Sequence, residues 1–258
     1  MAASALTVTG LSKAFDGVKA VNDLSLTVEP DKITALIGPN GSGKTTLLNL
    51  ISGLLRPDRG QIKLGDRVIN SQPPHVIARL GVARTFQHIR LFPQISVRDN
   101  LMLALSDRHD ERLSGTFLRP KTVAERETAR IAKARELLET IGLASKESVM
   151  GWELSHGQRR LLEIARTLAL RPSVLLLDEP MAGLSPSMIA LMKETIRSLR
   201  GQGRTILFVE HNVKVVLELS DHVIVLDHGA KIAEGTPDEI RENPRVIEAY
   251  LGGGLTHA

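Results

Sequence analysis

At 258 residues, with 42% apolar and 24% charged side chains, the chain can bury a sizeable core, as one large domain or as a core with a subdomain. A net charge of +4 without a long basic block, together with one Trp, one Tyr and five Phe, argues against a nucleic-acid partner. No apolar run reaches the roughly 18–20 residues of a membrane span, Met1–Leu6 is not expected to be a signal peptide, and zero cysteines exclude disulfides and thiolate metal sites and suit the cytosol.

In chain order, the runs Leu6–Thr9 and Leu24–Val28 alternate β-branched and apolar residues and predict strands. Lys32–Ile37 predicts a buried strand that leads into Gly38-Pro39-Asn40-Gly41-Ser42-Gly43-Lys44-Thr45-Thr46. Leu47, Leu48, Leu50 and Ile51 then fall on one helix face. Gln61–Leu64 and Val68–Ile69 flank Gly65-Asp66, a hairpin signal. The first third therefore mixes antiparallel strands with one strand–loop–helix unit.

From Val97 to about Leu170 the pattern is mainly helical, interrupted by a polar loop or insertion at Ser106–Lys121. In Ala124–Ile141 the residues Ile131, Ala134, Leu137, Leu138 and Ile141 form one stripe, and Gly142 follows as a stop. A second helix is expected over Arg159–Leu170. The last third alternates again. Val174–Leu177, Thr205–Val209 and Val223–Leu226 read as buried strands, and Pro186–Leu199 as a helix capped by Ser185. Helical segments separate these strands, which predicts a parallel sheet with crossover helices. Ala230–Glu234 adds a final edge strand.

The loop Gly38–Thr46 satisfies G-x-x-x-x-G-K-[ST] in the required strand–loop–helix context. Its glycines let backbone N–H groups turn inward around phosphate oxygens, and the helix N-terminus adds partial positive charge. Lys44 can reach the β- and γ-phosphates of a nucleoside triphosphate, and the Thr45 hydroxyl can ligate Mg²⁺. This loop alone does not separate a kinase from a GTPase or a motor. A second signal is Val174–Leu177 ending in Asp178-Glu179. An Asp at the carboxyl end of a neighbouring strand is placed to hold the Mg²⁺ water shell beside Thr45. Glu179 can polarise the water that attacks the γ-phosphate.

A third signal decides the family. Leu154-Ser155-His156-Gly157-Gln158 resembles the Leu-Ser-Gly-Gly-Gln signature of ATP-binding cassette (ABC) ATPases, with His156 where the first Gly is commonest. Gln87 in Arg84-Thr85-Phe86-Gln87 matches the family's Q-loop, and His211 in Val209-Glu210-His211-Asn212 its switch histidine. Phe15 stands where the family keeps an aromatic against adenine, and Ala182-Gly183-Leu184-Ser185 matches the D-loop, with Ser185 in place of Asp. The resemblance implies an α/β fold: a P-loop NTPase (RecA-like) core with an antiparallel β subdomain over 1–96 and 171–258, and an inserted α-helical subdomain over 97–170. It implies ATP and Mg²⁺ as ligands. Nucleotide contacts fall to Phe15, Gly38, Pro39, Asn40, Gly41, Ser42, Gly43, Lys44, Thr45 and Thr46, and to Ser155, Gly157 and Gln158 acting on a second subunit's ATP. Metal contacts fall to Thr45, Gln87 and Asp178, and catalysis to Glu179, His211 and Gln87.

Within that family, Arg84–Phe92, Leu162–Arg166, Asp178–Leu184 and Pro244–Gly252 are similar to the branched-chain amino-acid importer ATPases, and the insertion with Gly115–Leu118 looks like the longer of that importer's two ATPase subunits. The resemblance implies a subunit on the cytoplasmic face of the cell membrane. It pairs with a second ABC ATPase in a homo- or heterodimer, docks on transmembrane permease subunits, and is served indirectly by a substrate-binding protein. Phe86, Ile89, Leu91, Phe92 and Ile95 offer apolar residues to the permease. The same reading includes a close relative carrying urea or amides; another transport ATPase such as a lipopolysaccharide exporter, and a soluble non-transport ABC ATPase, are the alternatives.

Overall fold

The computed structural model describes residues 4–70, 72–85, 91–106 and 120–252, without the side chains of 120–124, 251 and 252. Gln87, Phe86, Ile89 and the insertion with Gly115–Leu118 lie outside the described residues. The chain divides into two compact units: residues 1–87, 172–182 and 196–258, and residues 88–171 with 183–195.

The first unit holds two sheets. Strands β1 (Leu6–Phe15), β2 (Val18–Val28), β4 (Arg59–Leu64) and β5 (Arg67–Val68) form an antiparallel sheet in the order β2-β1-β4-β5. The other sheet runs β10 (Ala230–Gly235), β9 (His222–Asp227), β3 (Ile33–Ile37), β8 (Thr205–Val209), β7 (Val174–Asp178), β6 (Val82–Arg84). Its strands are parallel except for the edge strand β10, which pairs antiparallel with β9. The interior strands β3, β7 and β8 are buried at every residue, which is why they read as unbroken apolar runs. Helix α1 (Lys44–Ile51) leaves the carboxyl end of β3 and sinks Leu47, Leu48, Leu50 and Ile51 into a core shared with Leu36, Leu176, Leu207 and Ile224. Each such side chain contributes about 1.5–3 kcal/mol by burial.

Two elements carry too little pattern to be predicted. Helix α2 (Pro74–Leu80) buries only Ile77, and β6 is three residues long. A topological expectation is also corrected. The strand bearing Asp178 is not the neighbour of β3, because β8 lies hydrogen-bonded between them. Helices α7 (Val213–Leu219), α8 (Pro237–Arg241) and α9 (Pro244–Gly252) complete this unit.

The second unit is helical. Helices α3 (Val97–Leu105), α4 (Pro120–Thr140) and α5 (His156–Leu168) pack against one another, and the first part of α6 (Pro186–Gly201) belongs with them. The stripe Ala134, Leu137, Leu138 and Ile141 is buried, and Gly142 at φ 71° ends the run. Helix α5 starts at His156, three residues before the expected Arg159, because Ser155 caps it. The Ser155 hydroxyl accepts the Gln158 N–H at 3.3 Å, while Gln158 Oε1 accepts the Ser155 N–H at 3.1 Å.

Candidate functional site

The loop after β3 is shaped by what its glycines avoid. A Cβ on Gly38 would stand 2.1 Å from the Leu226 carbonyl, and one on Gly43 would stand 2.3 Å from the Ala20 carbonyl. Both residues have positive φ, 151° and 100°. The first intrahelical bond of α1 joins the Leu47 N–H to the Gly43 carbonyl at 2.9 Å. The amides of Lys44, Thr45 and Thr46 therefore precede the helical ladder and form an anion-binding N-terminus. Thr45 is exposed there, as are Asn40 and Gly41, while Pro39 and Thr46 are half-buried and Ser42 is buried.

Lys44 is buried and folds over the loop, its Nζ donating to the Gly38 and Pro39 carbonyls at 2.8 Å each and to Ser42 Oγ at 3.3 Å. Burial pushes its ammonium below the usual lysine range, while the charges of Glu179 and Asp178 pull it back up. The loop and the acidic strand end thus act on one another, although β8 separates their strands.

Asp178 ends β7 and is itself buried. Its Oδ2 accepts from Arg84 Nη2 at 2.8 Å, and Arg84 Nη1 donates onward to Asn49 Oδ1 on α1 at 2.7 Å. Arg84 was not singled out by the sequence, and it ties the acid to the helix that follows the loop. Glu179 sits at φ 47°, a left-handed conformation rarely taken outside glycine. Its N–H donates to the Val209 carbonyl at 3.1 Å. Its Oε1 lies 2.9 Å from His211 Nε2, so an ionised Glu179 accepts from that nitrogen. The pair stays in reach of water, Glu179 at 24% exposure and His211 at 46%. Between them in the chain, Glu210 is buried and accepts the Met181 N–H at 2.8 Å and the His211 N–H at 3.3 Å. Burial raises its carboxyl above the usual range, against the pull of those two amides. A charged residue directly continuing the apolar run Thr205–Val209 is the signal that could have found it.

Phe15 ends β1 at 42% exposure, so it is not a core aromatic; Lys13 Nζ stands 5.6 Å from its ring centre. Its hairpin reaches the loop through Ala20, whose carbonyl faces Gly43. Burial raises the phenol of Tyr250 on α9, while the Gly38 backbone pulls it back down.

In the helical unit, Ser155 and His156 are exposed at the start of α5 while Gly157 is buried. A Cβ on Gly157 would come within 2.8 Å of Met188 and 3.3 Å of Leu184, so close packing within the unit is one reason for glycine there. The amides of His156 and Gly157 precede the first helical bond, from the Arg159 N–H to the Ser155 carbonyl at 3.0 Å. Nearby, Asn100 accepts the Phe92 N–H at 3.0 Å and donates to its carbonyl at 2.9 Å, and the Trp152 N–H bonds the Pro93 carbonyl at 3.1 Å. Phe92 and Trp152 are left exposed.

A parallel sheet with a glycine-rich loop at one strand's carboxyl end, a buried lysine within the loop and a strand-end Asp-Glu pair defines a P-loop nucleoside triphosphatase. Residues 21–182 match the family model described as ABC transporter, and residues 230–256 match that of the branched-chain amino acid ATP-binding cassette transporter. The chain belongs to the ABC transporter family and is an ATP-binding, ATP-hydrolysing cassette. It is 44% identical over 252 residues to the high-affinity branched-chain amino acid transport ATP-binding protein BraF of Pseudomonas aeruginosa, covering 96% of this chain and 97% of that protein. It is 38% identical over 247 residues to the lipopolysaccharide export system ATP-binding protein LptB of Escherichia coli, covering 96% and 97%. Among solved structures, the ADP conformation of MJ1267, an ATP-binding cassette of an ABC transporter, superposes with a TM-score of 0.84 at 32% identity over 96% of this chain and 99% of that one.

Proposed function

We propose that this chain powers import of branched-chain or other hydrophobic amino acids, with urea or amides as related cargo. The observation that carries the cargo class is the match of residues 230–256 to the branched-chain model, a segment beyond the motifs that all cassettes share. The 38% identity to LptB favours lipopolysaccharide export as the second reading. No helix among the described residues is long and apolar enough to cross a membrane. Transport then requires separate permease subunits, with this chain on their cytoplasmic face and a substrate-binding protein beyond them. The exposed Phe92 and Trp152, held by Asn100 and Pro93, are suited to receive a permease helix, with Gln87 close in sequence.

In the working assembly two cassettes enclose ATP, each loop facing the other subunit's signature. The amides and Lys44 of Gly38–Thr46 hold phosphates, and Phe15 stacks on adenine. Thr45 and Asp178 offer oxygen donors suited to a hard cation, and no cluster of three or more His, Cys, Asp or Glu occurs among the described residues that could hold a metal alone. Magnesium, entering with the phosphates, would neutralise charge developing on them. Gln87 would contribute a further oxygen donor to such an ion and link it to the permease. Glu179 takes a proton from the attacking water, and His211 holds Glu179 and contacts the γ-phosphate. Ser155, Gly157 and Gln158 meet the other subunit's ATP, with the amides of His156 and Gly157 as donors.

The test is reconstitution of the chain with its co-purifying permease in liposomes. Leucine-loaded binding protein stimulates ATP hydrolysis on this reading. Stimulation by lipopolysaccharide, or none by any amino acid, refutes it.

A further inference from the structure

The turn that carries Glu179 and the strand end that carries His211 come from different parts of the chain, and a 2.9 Å contact between their side chains needs both backbones fixed. One buried carboxylate does this from both sides. Glu210 Oε1 accepts the Met181 N–H at 2.8 Å, two residues past Glu179, and Oε2 accepts the His211 N–H at 3.3 Å. Together with the bond from the Glu179 N–H to the Val209 carbonyl at 3.1 Å, this pins the turn at two points. The turn closes on itself through the Ala182 N–H and the Glu179 carbonyl at 3.2 Å. Such pinning has a purpose, because Glu179 at φ 47° is in a conformation that an L side chain holds only when its surroundings over-determine it. The acid itself is only 5% exposed and lies near the charge of Glu179, an expensive place for a carboxyl unless its two oxygens are used.

We infer that Glu210 is a positioning residue for ATP hydrolysis, a buried clamp that sets Glu179 and His211 at contact distance without touching nucleotide. This rests on the reading of Glu179 as the base and His211 as its partner. Replacement by Gln keeps the size but sets an NH₂ group against one of the two amides, so one donor loses its acceptor. Replacement by Ala releases both amides. Freed of its clamp, the turn shifts Glu179 relative to His211 and to the attacking water, and displacements approaching 1 Å cost about 10²-fold in rate. Phosphate binding by the loop Gly38–Thr46 is untouched.

The experiment is steady-state ATP hydrolysis by the full chain in wild type, Glu210→Gln, Glu210→Ala, Glu179→Gln and the Glu179→Gln/Glu210→Gln double variant, with melting temperatures alongside. Expected is a kcat fall of about 10-fold for Gln and about 100-fold for Ala, with the KM for ATP within about twofold of wild type. In the Glu179→Gln background the Glu210 change removes less than about a further twofold, because both act on one step. The proposal is overturned if Glu210→Gln hydrolyses within about twofold of wild type, if KM rises in step with the loss of kcat, or if the losses multiply in the double variant. Should Ala fail to fold, Gln alone decides. A Glu179→Gln variant whose turnover is undiminished sinks the base reading instead, so the two failures are distinguishable.

Discussion

Replacing Gly43 by Ala tests whether the phosphate loop is held by backbone contact. At φ 100° the new side chain pays about 1–2 kcal/mol for a left-handed conformation. Its Cβ also begins 2.3 Å from the Ala20 carbonyl, and reaching a tolerable 3.0 Å takes a displacement of about 0.7 Å. Gly43 is the N-cap of α1, so that displacement moves the amides of Lys44, Thr45 and Thr46 together. Misplacement near 1 Å is worth about 10²-fold, so ATP affinity should fall about 30- to 100-fold, or about 2–3 kcal/mol. The strain alone lowers the melting temperature by about 2–8 °C. Gly65→Ala is the control, because Gly65 also has positive φ, 55°, but a Cβ there meets nothing within 4 Å. Titration with a fluorescent ATP analogue and a thermal melt on each variant give both numbers. Binding by Gly43→Ala within about threefold of wild type, or a comparable loss of affinity in Gly65→Ala, would show that backbone contact does not hold the loop.

Two further outcomes follow from buried groups. Arg84→Met leaves Asp178 charged without its 2.8 Å partner in a buried setting, so chemical denaturation should show a loss of about 3–5 kcal/mol; a loss below about 1 kcal/mol contradicts the pairing. Tyr250 is the chain's sole tyrosine, and burial raises its phenol while the Gly38 backbone pulls it down. The folded chain then holds that proton more tightly than the unfolded chain, so stability declines as pH rises through the ordinary value of about 10 and on to the folded midpoint. Ultraviolet titration should place the folded midpoint above that of the chain in guanidinium, and coincident midpoints would refute it.

The parts of the fold legible in the sequence are those where one local pattern decides. β3 and α1 announce themselves because unbroken burial and a one-sided helix both leave periodicity. The hairpin Leu6–Val28 is longer than its two apolar runs suggest, because Lys13, Asp16 and Lys19 around the turn hide the alternation. α2 starts at Pro74 behind the N-cap Pro73 and buries one residue, which leaves no periodicity to read. The start of α5 was in plain sight, since Ser155-x-x-Gln158 is a capping box. Strand order is not a local property, so the intrusion of β8 between β3 and β7 is absent from any window of sequence. The motif residues of the candidate site were readable for the same reason as β3. Their supports, Arg84 on Asp178 and Glu210 behind Glu179 and His211, were not, because each joins segments far apart in the chain.

On the proposed function, Glu179 drives hydrolysis in an ATP-closed pair of cassettes. Glu179→Gln in MgATP, analysed by size-exclusion with bound nucleotide quantified, measures it directly. Expected are hydrolysis below about 1% of wild type, consistent with loss of a general base worth about 10²–10⁴-fold, and an ATP-retaining dimer. Undiminished turnover, or a monomer that keeps no ATP, would contradict it.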